Sequence, residues 1–228
     1  MFKRLLFAIL LFCSSVFLSL TASFLTKGQT ATLSKCAVLI FGVLPFLIYA
    51  FFNKTKEKRV VLNIKLPSFS IFFSALFIAN IFAYFESFLG FSEKAAQTFE
   101  FSPHELFVLV FFSVLAVPLV EEFIFRKNLF VMLNPIGTLF ATLVSSLMFS
   151  CVHPFGAKAY AFIMGCALAL IYAAYGFGRS FMFHMVNNAL NISVSYFSFA
   201  FGDKVGIFYN VFIIFSGIVS VFVLIKKI

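Results

Sequence analysis

LFVLVFFSVLAVPLVEEFIFRK, residues 106–127, decides the fold. From Leu106 to Val120 there is no charged residue, and then Glu121, Glu122 and Arg126 arrive within a turn and a half of helix. The segment begins with a readable helix start in Ser102-Pro103-His104-Glu105. Ser102 can cap, Pro103 suits the first helical position, and Glu105 can reach back as the second half of a capping box. His104 is then a helix-start residue near water and takes no role. From Ser102 to Arg126 is about 36 Å at 1.5 Å per residue, enough to cross a bilayer core. Pro118 removes one backbone hydrogen bond and predicts a kink just ahead of the carboxylates.

The rest of the chain has the same character. Hydrophobic residues are 63% and charged residues 11%, against about 45–50% and about 25% in soluble domains. Such a chain cannot cover a water-facing surface, so an integral membrane protein is expected. Eight runs are long enough to span, at roughly 5–25, 36–52, 69–90, 104–127, 136–153, 159–176, 180–200 and 207–225. With no soluble domain between them and no internal repeat, residues 1–228 read as a single integral membrane domain, an all-α polytopic helix bundle of about eight transmembrane helices.

The net charge of +9 would suggest nucleic acid in a soluble protein, but here the basic residues lie between apolar runs and report topology. With the N-terminus inside, only Lys27, Lys35, Lys94, Lys158 and Lys204 of the 17 Lys and Arg fall outside. Both termini are therefore expected to be cytoplasmic, and no nucleic-acid partner is expected. The basic stretch 54–65 reads as an orientation determinant facing anionic lipid. FKRLLFAILLFCSSVFLSLTAS, residues 2–23, resembles a signal peptide, yet its apolar stretch is long and its small-residue site poor, so a retained helix is expected. Cys13, Cys36, Cys151 and Cys166 form no C-x-x-C pair and read as buried small hydrophobes. Cys151 precedes His153 by two residues, which turns the two about 160° apart on a helix and argues against a Cys–His nucleophile.

Three polar constellations interrupt the apolar runs. Glu122 and Arg126, four apart, share a helix face and can pair, whereas Glu121 is offset by about 100° toward a different neighbour. Each such group at mid-membrane costs roughly 2.5–3.5 kcal/mol on insertion scales. Neutralisation of a cytoplasmic helix end explains Glu122 with Arg126 but leaves Glu121 without a purpose. In FSCVHPF, His153 ends the fifth run with Phe149 one turn earlier on the same face. In FHMVNNALN, His184 and Asn188 are four apart, with Asn187 and Asn191 near the same face. A lone terminal His is usually interfacial, and an amide stripe commonly bonds one helix to another. Taken together, an intramembrane polar set drawn from three spans is by default a functional site.

These three patterns in this order, E-E-x-x-x-R, F-x-x-x-H and H-x-x-x-N, resemble the CPBP family, the CAAX-protease and bacteriocin-processing intramembrane endopeptidases also called Abi. Pro118 three residues before the first Glu, Phe125 before the Arg, and GCALALIYAAYG at 165–176 strengthen the likeness. It covers about 104–191, the core carrying the motifs; Lys127 stands where many members have Gly. The resemblance implies that Glu121 and His153 activate a water against a peptide carbonyl, that His184 and Asn188 stabilise the oxyanion, and that Glu122 and Arg126, with Phe149 beside them, orient the site. It implies a peptide or membrane-protein substrate. Its prokaryotic-style members point to peptide processing in a prokaryotic plasma membrane rather than to prenylated CAAX ends.

Two His and a Glu also form a common catalytic zinc set, which here would be Glu121, His153 and His184. Nothing in the chain resembles H-E-x-x-H, so no cofactor is the favoured expectation. Two other functions fit a polar set in lipid: an ion or proton pathway, and a non-proteolytic scaffold or immunity protein. A relay needs no oxyanion donor, so His184 with Asn188 favours the hydrolase. One tension remains. On straight vertical helices Glu121 stands about 20 Å above the cytoplasmic turns, His153 about 25 Å and His184 about 10 Å.

Overall fold

A computed structural model describes residues 2–52, 66–88, 103–202 and 204–226. Among these there is no strand. The long helices are α1 (Phe2–Leu25), α2 (Ala31–Phe52), α3 (Ser68–Phe88), α4 (103–133), α5 (Thr138–Cys151), α6 (Lys158–Tyr175), α7 (Phe177–Phe201) and α8 (Lys204–Ile225). Each of the eight apolar runs has become one helix. Among the described residues, six stretches are long and apolar enough to cross a membrane: Phe2–Leu25, Thr32–Phe52, Ser68–Phe88, Glu105–Ile136, Phe155–Tyr175 and Lys204–Ile225. The other two differ for separate reasons. α5 has 14 residues, about 21 Å of rise. α7 is long enough but carries the polar face of the third motif.

Helix α4 starts at Pro103, as its sequence predicts; its cap Ser102 lies outside the described residues, as does the basic stretch 54–65. It does not stop at Lys127 but runs on to Leu133, giving way to a 3-10 turn, Asn134–Ile136, at Pro135. The apolar run LFVML continues the helix, and Pro135 cannot extend it. α6 and α7 are joined by Gly176 alone, at φ +85°, a left-handed conformation that a residue with a Cβ adopts only at a cost.

The bundle has two apolar cores on opposite faces of α6. Ala161, Ala169 and Ala173 face a cluster built from α1, α2, α4 and α5, with Phe46, Phe125, Leu129 and Phe130. Met164, Ala167, Leu168 and Ile171 face α3, α7 and α8 through Phe72, Leu76, Phe183 and Ile213. Small residues permit this: a Cβ on Gly165 would stand 3.1 Å from the Ser146 Cβ of α5. Close backbone approach through small residues is how helices associate where lipid is as apolar as leucine. α1 and α2 pair with each other, Ser15 Oγ donating to the Gly42 carbonyl at 2.5 Å, and flank α4.

Arg126 is 0% exposed and so is part of the protein core. One sequence reading is corrected by burial. No cysteine is buried: Cys13 and Cys151 are exposed and Cys36 and Cys166 intermediate. A thiol on the outside of an apolar bundle meets a medium as apolar as the core, so the expected preference for the interior has no force here.

Candidate active site

Three helices, α4, α5 and α7, supply the site. On α4, Glu122 and Arg126 are both fully buried, with Arg126 Nε 3.6 Å from Glu122 Oε1. The guanidinium also lies over the Phe149 ring, 5.0 Å from its centroid, a desolvated cation on a π face. Ser180 of α7 donates to Glu122 Oε2, and His184 Nδ1 stands 3.0 Å from Glu122 Oε1. Glu122 is thus held by a cation, a hydroxyl and an imidazole. Ser180 escaped the sequence reading, although it lies four residues before His184 and so on the same face.

Glu121 faces a different neighbour, as its 100° offset predicts. Its side chain is 17% exposed, and Oε2 is 3.4 Å from His184 Nε2. His184 therefore lies between two adjacent carboxylates, one on each ring nitrogen. At 3.4 Å the Glu121 contact is looser than the 3.0 Å hydrogen-bond contact with Glu122.

His153 follows the end of α5. Its Nδ1 is 2.8 Å from the Phe149 carbonyl, and a carbonyl only accepts, so Nδ1 is the donor. In the neutral ring this leaves Nε2 with a free lone pair. Phe149 sits between the imidazoles, its centroid 4.5 Å from that of His153 and 5.7 Å from that of His184. The straight-ruler heights are therefore wrong. With these contacts, α4, α5 and α7 cannot all rise vertically from one level, and the short α5 ends where the carboxylates are.

Asn188 is held by a defect in α4. Phe111–Ala116 is π-helical, and the Val117 N–H donates to the Phe112 carbonyl instead of to Ser113. The next residue in a π register that could serve the Ser113 carbonyl is residue 118, a proline with no N–H. Abandoned by the helix ladder, this carbonyl accepts from Asn188 Nδ2 at 2.8 Å. The expected kink at Pro118 thus takes the form of a π segment that exports a backbone acceptor. A second π segment, Phe123–Phe130, carries Arg126, and Asn128 Nδ2 donates to the Phe123 carbonyl at 2.7 Å.

Phe149, His153, His184 and Asn188 line one cavity of about 170 Å³. Glu121 lines another, of about 590 Å³, with Phe12, Ser15, Val38 and Gly42 of α1 and α2. No hydrogen bond joins Glu121 to His153 among the described residues. Among those residues, too, no three His, Cys, Asp or Glu side chains gather in a metal-holding set. Of the zinc candidates, only Glu121 and His184 are in direct contact.

No curated protein matches the chain, and no solved structure does. The family comparison is positive: residues 103–190 match the model described as "Type II CAAX prenyl endopeptidase Rce1-like". That segment runs from the first residue of α4 past Asn188 and contains Glu121, Glu122, Arg126, Phe149, His153 and His184, so the likeness to this family lies in the part of the chain that carries all three motifs.

Proposed function

We propose that the chain is an intramembrane endopeptidase in which Glu121 and His153 activate a water for attack on a peptide carbonyl. The observation that carries this reading is His184, held between Glu121 and Glu122 and opening on the cavity it shares with His153 and Asn188. The free Nε2 of His153 and the Glu121 carboxylate take the proton of the attacking water. The hydroxyl adds to the carbonyl carbon, and the second Nδ2 hydrogen of Asn188 and the Nε2 side of His184 meet the oxyanion. Collapse breaks the C–N bond, and the proton taken from the water is passed to the leaving amine. Arg126 balances the buried charge of Glu122 and so keeps His184 oriented.

This reading is glutamate-dependent and needs no cofactor. The substrate is a peptide or membrane-protein segment, whose apolar flank would lie against the α1–α2 wall beside Glu121. All eight helices are proposed to cross a prokaryotic plasma membrane as one domain, with both termini cytoplasmic. Cysteine-accessibility labelling at positions 3 and 226 tests that topology; labelling of either from outside rejects it.

The decisive measurement is cleavage of prenylated and unprenylated peptides by purified protein, with and without a chelator. Glu121→Ala and His153→Ala are expected to lower the rate by about 10²–10⁴-fold while the protein stays folded and inserted. Chelation is expected to leave wild-type cleavage intact. A variant pair that cleaves normally rejects these two roles, and one that has lost cleavage but retains the cellular phenotype in full points to the scaffold.

A further inference from the structure

The polar side chains of α7 beyond His184 form a directed chain that the three motifs do not contain. The Tyr160 hydroxyl of α6 donates to Asn187 Oδ1 at 2.6 Å. Asn187 Nδ2 donates to Asn188 Oδ1 at 3.2 Å, and Asn188 Nδ2 donates to the Ser113 carbonyl at 2.8 Å. Asn191 Nδ2 donates to the Tyr160 oxygen at 3.4 Å, which leaves the phenol proton for Asn187. An amide can be turned either way, so its direction must come from partners that have no choice. The Ser113 carbonyl can only accept, and this sets the far end. At the near end Tyr160 offers the donor that keeps the Asn187 oxygen turned toward α6 and its NH₂ turned toward Asn188. Tyr160 lines the same cavity as His153, His184 and Asn188.

We infer that Tyr160 is a positioning residue that acts through Asn187 to hold the Asn188 amide with an N–H directed at the developing oxyanion. The role rests on the endopeptidase reading above. Without the phenol proton the Asn187 amide is free to flip. A flipped Asn187 sets its oxygen against the Asn188 oxygen, and Asn188 loses the donor that steadies it. A misplaced donor lowers turnover more than binding, because the oxyanion exists only in the transition state.

The test is a double-mutant cycle on peptide cleavage with Tyr160→Phe, Asn188→Ala and the pair, each checked for folding by thermal unfolding in detergent. Tyr160→Phe is expected to lower kcat by about 10–100-fold, the cost of a small misplacement, with KM within about two-fold. In the Asn188→Ala background the same substitution is expected to cost almost nothing more, since the residue it acts through has gone. Asn187→Asp, which still accepts from Tyr160 but cannot donate to Asn188, is expected to reproduce the kcat loss; it also serves as the test if Tyr160→Phe does not fold. A normal kcat in the folded variants, a change confined to KM, or an equal loss in the Asn188→Ala background overturns the role. Wild-type protein that cleaves no peptide overturns the endopeptidase reading and this role with it; an active wild type with an unaffected Tyr160→Phe overturns the role alone.

Discussion

Successive turns of α7 solve the same problem in different ways. Ser180 and His184 face charges: two carboxylates and, behind them, Arg126. Asn187 and Asn188, one turn on, face only neutral groups: an amide, a phenol and the Ser113 carbonyl. On the first turn orientation comes from charge pairing, Glu122 standing against Arg126 four residues further along α4. On the second it comes from an irregular helix, because only a π segment followed by proline leaves a main-chain oxygen unclaimed. In lipid, a charge is held by balancing it, and a neutral donor by breaking a ladder nearby.

Removing one buried charge is the most damaging way to break this contrast. Glu122→Ala leaves Arg126 without its counter-charge and His184 without one of its two partners. We expect a loss of stability of about 3–5 kcal/mol, read as a lowered unfolding midpoint in detergent, with loss of cleavage. Replacing Arg126 by Met in the same chain should restore much of the stability but none of the cleavage. If Glu122→Ala is as stable as wild type, charge balance does not organise the first turn.

Damage to the second turn should look different. Asn188→Ala is expected to lower kcat by about 10²–10³-fold, the usual cost of one oxyanion donor, with little change in unfolding midpoint, since no charge is stranded. A large stability loss in this variant would erase the distinction between the turns. Pro118→Ala sharpens it further with a smaller effect. The new N–H can serve the Ser113 carbonyl from within α4 and so compete with Asn188. Turnover should fall by about 10-fold while stability holds or rises, because an interior proline costs a helix about 3 kcal/mol. An unchanged kcat would mean that Asn188 does not depend on the exported carbonyl.

Much of the site could be read from the linear chain because it is written in helical periodicity. Glu122 with Arg126, Phe149 with His153 and His184 with Asn188 are all i, i+4 pairs, and each marks a face before any fold is known. Ser180 lies on the His184 face by the same rule, but a serine in a membrane helix carries no signal of its own. Tyr160 was hidden more deeply: it lies on α6, outside every motif, and only packing of α6 on α7 brings it to Asn187. The end of α4 at Leu133, beyond the expected 127, was hidden because a charge pair after a long apolar run looks like a helix end whether or not other helices cover it.

The residues by themselves determined that the chain is helical and apolar, where its long helices lie, and which polar side chains share a face. These follow from local geometry, the pitch of a helix and the length needed to cross lipid. Tertiary structure alone decided that Glu121 meets His184 from 63 positions away, that α5 has only 14 residues, and that a π segment hands the Ser113 carbonyl to Asn188. Those outcomes depend on how helices tilt and interlock. Periodicity carries no information about that, because each helix would show the same pattern with any partner.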